Sequence, residues 1–257
     1  MKSSFPVVRL VLCVALALPF LSTDRIHAAI FSYDFEGVAT GGLEGQDGWS
    51  KLQSHWDDAT VVDGTDTNLS RFATATVLSG NPTGLHRSIA PLTFDAADTA
   101  IEQHVWVNAQ LGATGGLEWS GVSPWYMLFG LSGDQGKCTS YLRDATGLEH
   151  YGEDRVWGHW YDMKLAMDFS TTGGLATLYY RNVTTNETAY TRDTLLTNVN
   201  MGLTPTAGQY MANGISFRLD GGAGSIDNFS VVPEPSSMAL VLAGLAGLVA
   251  YAWKKRS

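Results

Sequence analysis

Seven tryptophans fall between residues 49 and 160: Trp49, Trp56, Trp106, Trp119, Trp125, Trp157 and Trp160. A flat indole can stack on the apolar face of a sugar ring, while neighbouring amides and carboxylates bond its hydroxyls. Trp106 is the most pointed case. It alternates with Val105 and Val107, so its ring shares a face with His104 and Asn108 rather than with the valines. Trp157 and Trp160, in VWGHW, complete a set suited to glycan contact. Trp125 stands in the all-apolar run PWYMLFGL and is expected in the core.

A second set of side chains could hold a cation. HWDDATVVDGTDTNLS carries Asp57, Asp58, Asp63, Asp66 and Asn68, oxygen donors of the kind Ca²⁺ takes, with Asp63 and Asp66 as the candidate pair. The spacing is not that of an EF-hand loop, and Asp63-Gly64 also reads as an ordinary turn. His55, His86, His104, His150 and His159 are scattered singly, with no HxH or HxxxH pair for zinc. Glycoside hydrolysis needs two facing carboxylates. The nearest approach is Glu149, Glu153 and Asp154 in GLEHYGEDRVWGHW, set among turn-like residues without a catalytic spacing. No catalytic residue is assigned, and the chain is not expected to be an enzyme.

Positioning these residues falls to strands. Phe31, Tyr33 and Phe35 alternate with polar residues, as do Val105 and Val107. Tyr161, Met163, Leu165, Met167 and Phe169 make one apolar face, with Asp162, Lys164 and Asp168 opposite. Gly173-Gly174 should turn this strand into LATLYYRNV, giving a hairpin over 160–183. PWYMLFGL, apolar on both faces, predicts a central buried strand. SIDNFSVV closes the series, and no segment between the ends has a helical period. About a dozen short strands predict an all-β, two-sheet sandwich.

Three stretches, DFEG…GLEGQDGW, HWYDMKLAMDF…TLYYRN and IDNFSVV, resemble the concanavalin A-like (laminin G-like) jelly roll. That resemblance implies pairing of the first strand, 31–36, with the last, 226–232. It also implies a fold shared by glucanases, lectins and interaction modules. The glucanase pattern Glu-x-Asp-x-(x)-Glu is absent from this chain.

The ends read differently. The C-terminus, VPEPSSMALVLAGLAGLVAYAWKKRS, orders a Pro233-Glu234-Pro235 motif, an apolar run and a basic stop, Lys254, Lys255 and Arg256. It resembles the PEP-CTERM sorting signal, which implies handling by the membrane enzyme exosortase. Met238–Trp253 spans 16 residues, about 24 Å as a helix, slightly short of a bilayer core. It is expected to anchor the protein in a membrane at least transiently, with the basic triplet inside. At the other end, Lys2 stands ahead of an apolar core, Val7–Leu21, interrupted only by Arg9 and Pro19, and small residues follow at Ala28 and Ala29. This is a signal-peptide pattern, to be removed by signal peptidase after the general export machinery.

The expected organisation is a signal peptide over 1–29, a β-sandwich over 30–232 and a sorting signal over 233–257. The sandwich holds ten Lys/Arg against 23 Asp/Glu, a net −13, which excludes nucleic acid as a natural partner. Cys138 is its lone cysteine, so it has no internal disulfide and the thiol is expected to be buried. The resulting expectation is an exported surface or extracellular-matrix protein with a structural or adhesive role through polysaccharide contact. The alternative is a polysaccharide-active hydrolase or lyase on the same fold.

Overall fold

The computed structural model describes residues 30–64, 71–75, 82–109, 111–133, 137–220 and 224–233. The signal-peptide segment, Asp66, Glu234, Pro235, Met238–Trp253 and Lys254–Arg256 lie outside the described residues. No helix of the described residues is long and apolar enough to cross a membrane.

All described secondary structure is β. The first six strands are β1 (Phe31–Tyr33), β2 (Gly41–Gly42), β3 (Trp49–Lys51), β4 (Ala59–Asp63), β5 (Arg71–Ala75) and β6 (Thr83–Phe94). Then come β7 (Ile101–Ala109), β8 (Gly112–Trp119), β9 (Phe129–Ser132), β10 (Cys138–Arg143), β11 (Glu149–Arg155) and β12 (Trp160–Asp168). The chain continues through β13 (Leu175–Asn182), β14 (Thr191–Arg192), β15 (Val199–Asn200), β16 (Tyr210–Asp220) and β17 (Gly224–Pro233).

They form two antiparallel sheets. The larger runs β14-β13-β12-β7-β17-β5-β4-β2, with β1 also on β17 and β15 on β13. The smaller runs β11-β10-β9-β8-β16-β6-β3. The first and last strands do pair, Phe31 with Val231 and Tyr33 with Phe229, though β1 is only three residues long. β5 takes the N-terminal part of that same edge of β17, through Ser225 and Ile226, and β1 takes the C-terminal part.

Alternation fills the layer between the sheets. Val105 and Val107 of β7, Met163, Leu165 and Met167 of β12 and Ile226 of β17 face Leu117 of β8 and Ile215, Phe217 and Leu219 of β16. Gly115 brings the layers close, because a Cβ there would meet the Phe229 ring at 2.6 Å. The β12–β13 hairpin forms as the sequence predicts, with Gly173 and Gly174 both at positive φ. Cys138 is buried in this core, and burial pushes its thiol up to about 11.

Three expectations are corrected. Pro124–Leu128 is not strand: only Phe129–Ser132 joins the sheet, and Met127 turns the chain at φ 60°. The acids of GLEHYGEDR sit on a strand, β11, rather than in a turn. The last strand, expected over 226–232, runs from Gly224 to Pro233, with Val232 and Pro233 in the β17 ladder opposite Glu102 and Ile101.

One charged pair closes the edge where β11 meets the segment after β14. Arg155 reaches Asp193 at 2.8 Å, with side chains 4% and 0% exposed. Asp193 also accepts from the backbone N–H groups of Glu153, Leu195 and Leu196. The Arg155 guanidinium lies 3.4 Å from the Tyr180 ring centroid. Both ions are therefore paired and further bonded, as burial at this depth requires.

Candidate functional site

Glycines leave room on the outer face of the smaller sheet, and a groove is built there. Gly84 of β6 has no side chain, and the Trp56 ring lies where its Cβ would be. Trp56 in turn stacks on Trp125, centroids 5.7 Å apart and planes 28° from parallel. Gly116 leaves space for the carbonyl oxygen of Met127, and Ser216 Oγ donates to Pro124 O at 2.7 Å. The segment 120–128 therefore folds back over the sheet and presents Trp125 to the groove, which corrects its expected place in the core.

The groove encloses about 350 Å³. Thr114, Ser132 and Gly133 lie at its floor, from β8 and the end of β9. Tyr141 of β10 and Tyr151 of β11 pair across the ladder and meet edge to face at 5.5 Å. Arg218 and Asp220 of β16 stand toward the other side, joined Nε to Oδ1 at 2.7 Å. Glu149 accepts from Tyr151 Oη at 2.7 Å and lies 4.0 Å from Arg143 Nη1. The Tyr151 bond, with Arg143 and Arg218 nearby, holds the Glu149 carboxyl below its ordinary range, so it is ionised at neutral pH. Both guanidiniums rest on aromatic rings, Arg143 at 4.6 Å from Tyr126 and Arg218 at 5.7 Å from Trp56.

Beyond the Gly116–Ser216 row on the same face, Glu118 lies over Gly214 and reaches His86 Nδ1 at 3.3 Å. Burial pushes Glu118 up to about 8 and His86 down. At neutral pH the carboxyl keeps its proton and the imidazole stays neutral.

The tryptophans singled out by sequence are placed elsewhere. Trp106 and Trp160 share the outer face of the larger sheet, half-buried, with Trp106 between Asp162 and Asp227 across the ladders. Trp160 meets Phe72 edge to face at 5.3 Å. Trp157 is not on that face. It sits in the β11–β12 turn and packs against the core.

Beside Trp106 the opposite face of β12 is not simply solvated. Asp162 is 2% exposed and accepts from Tyr190 Oη at 2.6 Å and from Arg181 Nε at 2.9 Å. His104 contacts Tyr190 at 3.0 Å, and Lys164 pairs with Glu102 at 2.7 Å. Burial alone would raise Glu102, but bonds from His104 and Lys164 overcome it and hold it at about 2. The charges of Glu102, His104, Asp162, Lys164 and Arg181 are thus consumed by one another. Asp63, of the predicted cation pair, is bonded to Arg71 at 3.0 Å. No group of three or more metal-type ligands forms among the described residues.

Comparison with known proteins decides the nature of the tail. Residues 231–256 match the family described as PEP-CTERM protein-sorting motif. The C-terminus is a PEP-CTERM sorting signal. Its presence marks an exported protein sorted by exosortase, and its first three matched residues, Val231 to Pro233, are those that finish β17.

No curated protein matches the chain by sequence. Among solved structures the chain is similar to the T. cruzi calreticulin globular domain, with 11% identity, TM-score 0.47 and coverage of 87% of this chain and 95% of that one. It is also similar to lectin II from Ulex europaeus, with 9% identity, TM-score 0.45 and coverage of 80% and 99%. A third likeness is to xylan beta-1,4-xylosidase from Bacillus halodurans, with 10% identity, TM-score 0.41 and coverage of 78% and 38%.

Proposed function

We propose that this exported protein is a non-catalytic glycan-binding module of the cell surface or extracellular matrix, holding saccharide in the groove of the smaller sheet. The carrying observation is the groove's composition. Trp125, Tyr141 and Tyr151 line it beside two arginine–carboxylate couples. Aromatic stacking with a few oriented polar groups is the usual chemistry of a small-molecule site. The groove carboxylates favour binding over hydrolysis: Asp220 is bonded to arginine, and Glu149 is held ionised.

The hydrolase reading has one observation in its favour. Glu118 keeps a proton at neutral pH, as a general acid must. Its neighbour at 3.3 Å is the neutral imidazole of His86 rather than a second carboxylate, which leaves the two-carboxylate arrangement incomplete.

A glycan array probed with the full-length protein, with and without Ca²⁺, tests the reading, and a reducing-end assay on each bound polysaccharide separates the two activities. Binding without release of reducing ends is expected. Release that is lost in Glu118→Gln would replace binding with hydrolysis. A requirement for Ca²⁺ would place a cation on the run containing Asp63 and Asp66.

A further inference from the structure

The groove's polar groups also select a class of sugar, an inference that rests on the binding reading above. Arg218 spends Nε on Asp220, and Arg143 spends Nε on Gly147 O at 3.2 Å. Arg143 Nη1 is 4.0 Å from Glu149, beyond hydrogen-bond reach. Among the described residues, the terminal N–H groups of both arginines take no hydrogen-bond acceptor. Each couple therefore sets free N–H donors next to a carboxylate. Two adjacent hydroxyls need that complement, since each hydroxyl both accepts and donates.

Charge argues in the same direction. One carboxylate stands by each guanidinium, so the groove offers no net positive charge. An anionic sugar would meet Asp220 and Glu149 at close range. Farther out, the net −13 of residues 30–232 repels polyanions over about 10 Å at 0.1 M salt. Trp125, Tyr141 and Tyr151 give an uncharged ring the stacking surface it needs.

We infer that the groove binds an uncharged polysaccharide presenting free vicinal hydroxyls and discriminates against uronate-bearing and sulfated chains.

The test is calorimetric titration of the full-length protein with neutral polymers (laminarin, xylan, galactomannan) and acidic ones (alginate, polygalacturonate), each at about 0.05 and about 0.5 M NaCl. Neutral chains should bind with affinities that change less than about twofold with salt, because hydrogen bonds to neutral groups are weakly screened. Binding confined to acidic polymers and lost at high salt overturns this inference while leaving the glycan-binding reading intact. Binding to neither class overturns that reading itself. In a second arm, Asp220→Asn removes one acceptor and uncovers Arg218. Neutral affinity should fall at least about tenfold and alginate binding should rise, with thermal unfolding unchanged. Glu149→Gln should move both affinities the same way. Unchanged neutral affinity in both folded variants would remove the couples from recognition.

Discussion

Trp125 is held by Trp56: their rings stack at 5.7 Å, and Trp56 itself lies flat over the position of a missing side chain at Gly84. The half-buried Trp125 ring is thus positioned by a second ring, and the second by a glycine. Rigid aromatic surface of this kind loses little entropy on binding.

The first expectation concerns that ring. Trp125→Ala should weaken glycan binding at least about tenfold, in the range of a central aromatic anchor. Trp106→Ala, on the other sheet, should leave affinity unchanged. Titration of both variants against the best-bound glycan checks the assignment. The opposite pattern would move the site to the face carrying Trp106 and Trp160.

Gly84→Val reaches the same ring indirectly. Its side chain would occupy the place of Trp56 and shift Trp125, so affinity should drop while the far-UV spectrum stays all-β. Tryptophan fluorescence should change together with affinity. A variant that binds normally would show that Trp56 does not set the groove.

Asp193→Ala leaves Arg155 buried without its counter-ion. Urea unfolding should show a loss of about 3–5 kcal/mol, the cost of breaking a buried ion pair from one side. A loss below about 1 kcal/mol would class the pair with exposed bridges.

Stability should also fall with pH in the neutral range. Glu118 has its folded pKa raised to about 8, well above an unfolded carboxyl, so between those values the folded state binds more protons. Its contribution is complete in acid and is lost as pH climbs toward 8. Asp227, pushed by burial to about 7, adds a loss of the same sign over a narrower window. In thermal unfolding between pH 5 and 9, about the span of these titrations, Glu118→Gln should flatten the decline. An unchanged slope would assign the pH dependence elsewhere.

Much of this architecture was legible in the chain. β7 and β12 alternate cleanly in sequence, and burial follows the alternation throughout β7 and, Asp162 apart, along β12. The pairing of first and last strands also followed from the resemblance. The groove was not legible, for two reasons. An apolar run such as Pro124–Leu131 looks the same whether it enters a sheet or packs over one, and only Gly116 and Gly84 make the second possible. The groove's walls also come from β8 to β11, β16 and the segment 120–128, so their proximity is a product of sheet order rather than spacing. The burial of Asp162, on the polar face of β12, was not legible because it depends on Tyr190, 28 residues away.

The sorting signal begins without slack. Pro233 is still opposite Ile101 in the ladder, and the ladder between β17 and β7 extends back to Gly224 opposite Ala109. The other edge of β17 is held by β5 and β1. A pull directed along β17 would load these bonds together, in shear, instead of opening them one after another. Under the proposed role, mechanical load on the tail would reach the domain through a strand held on both of its edges.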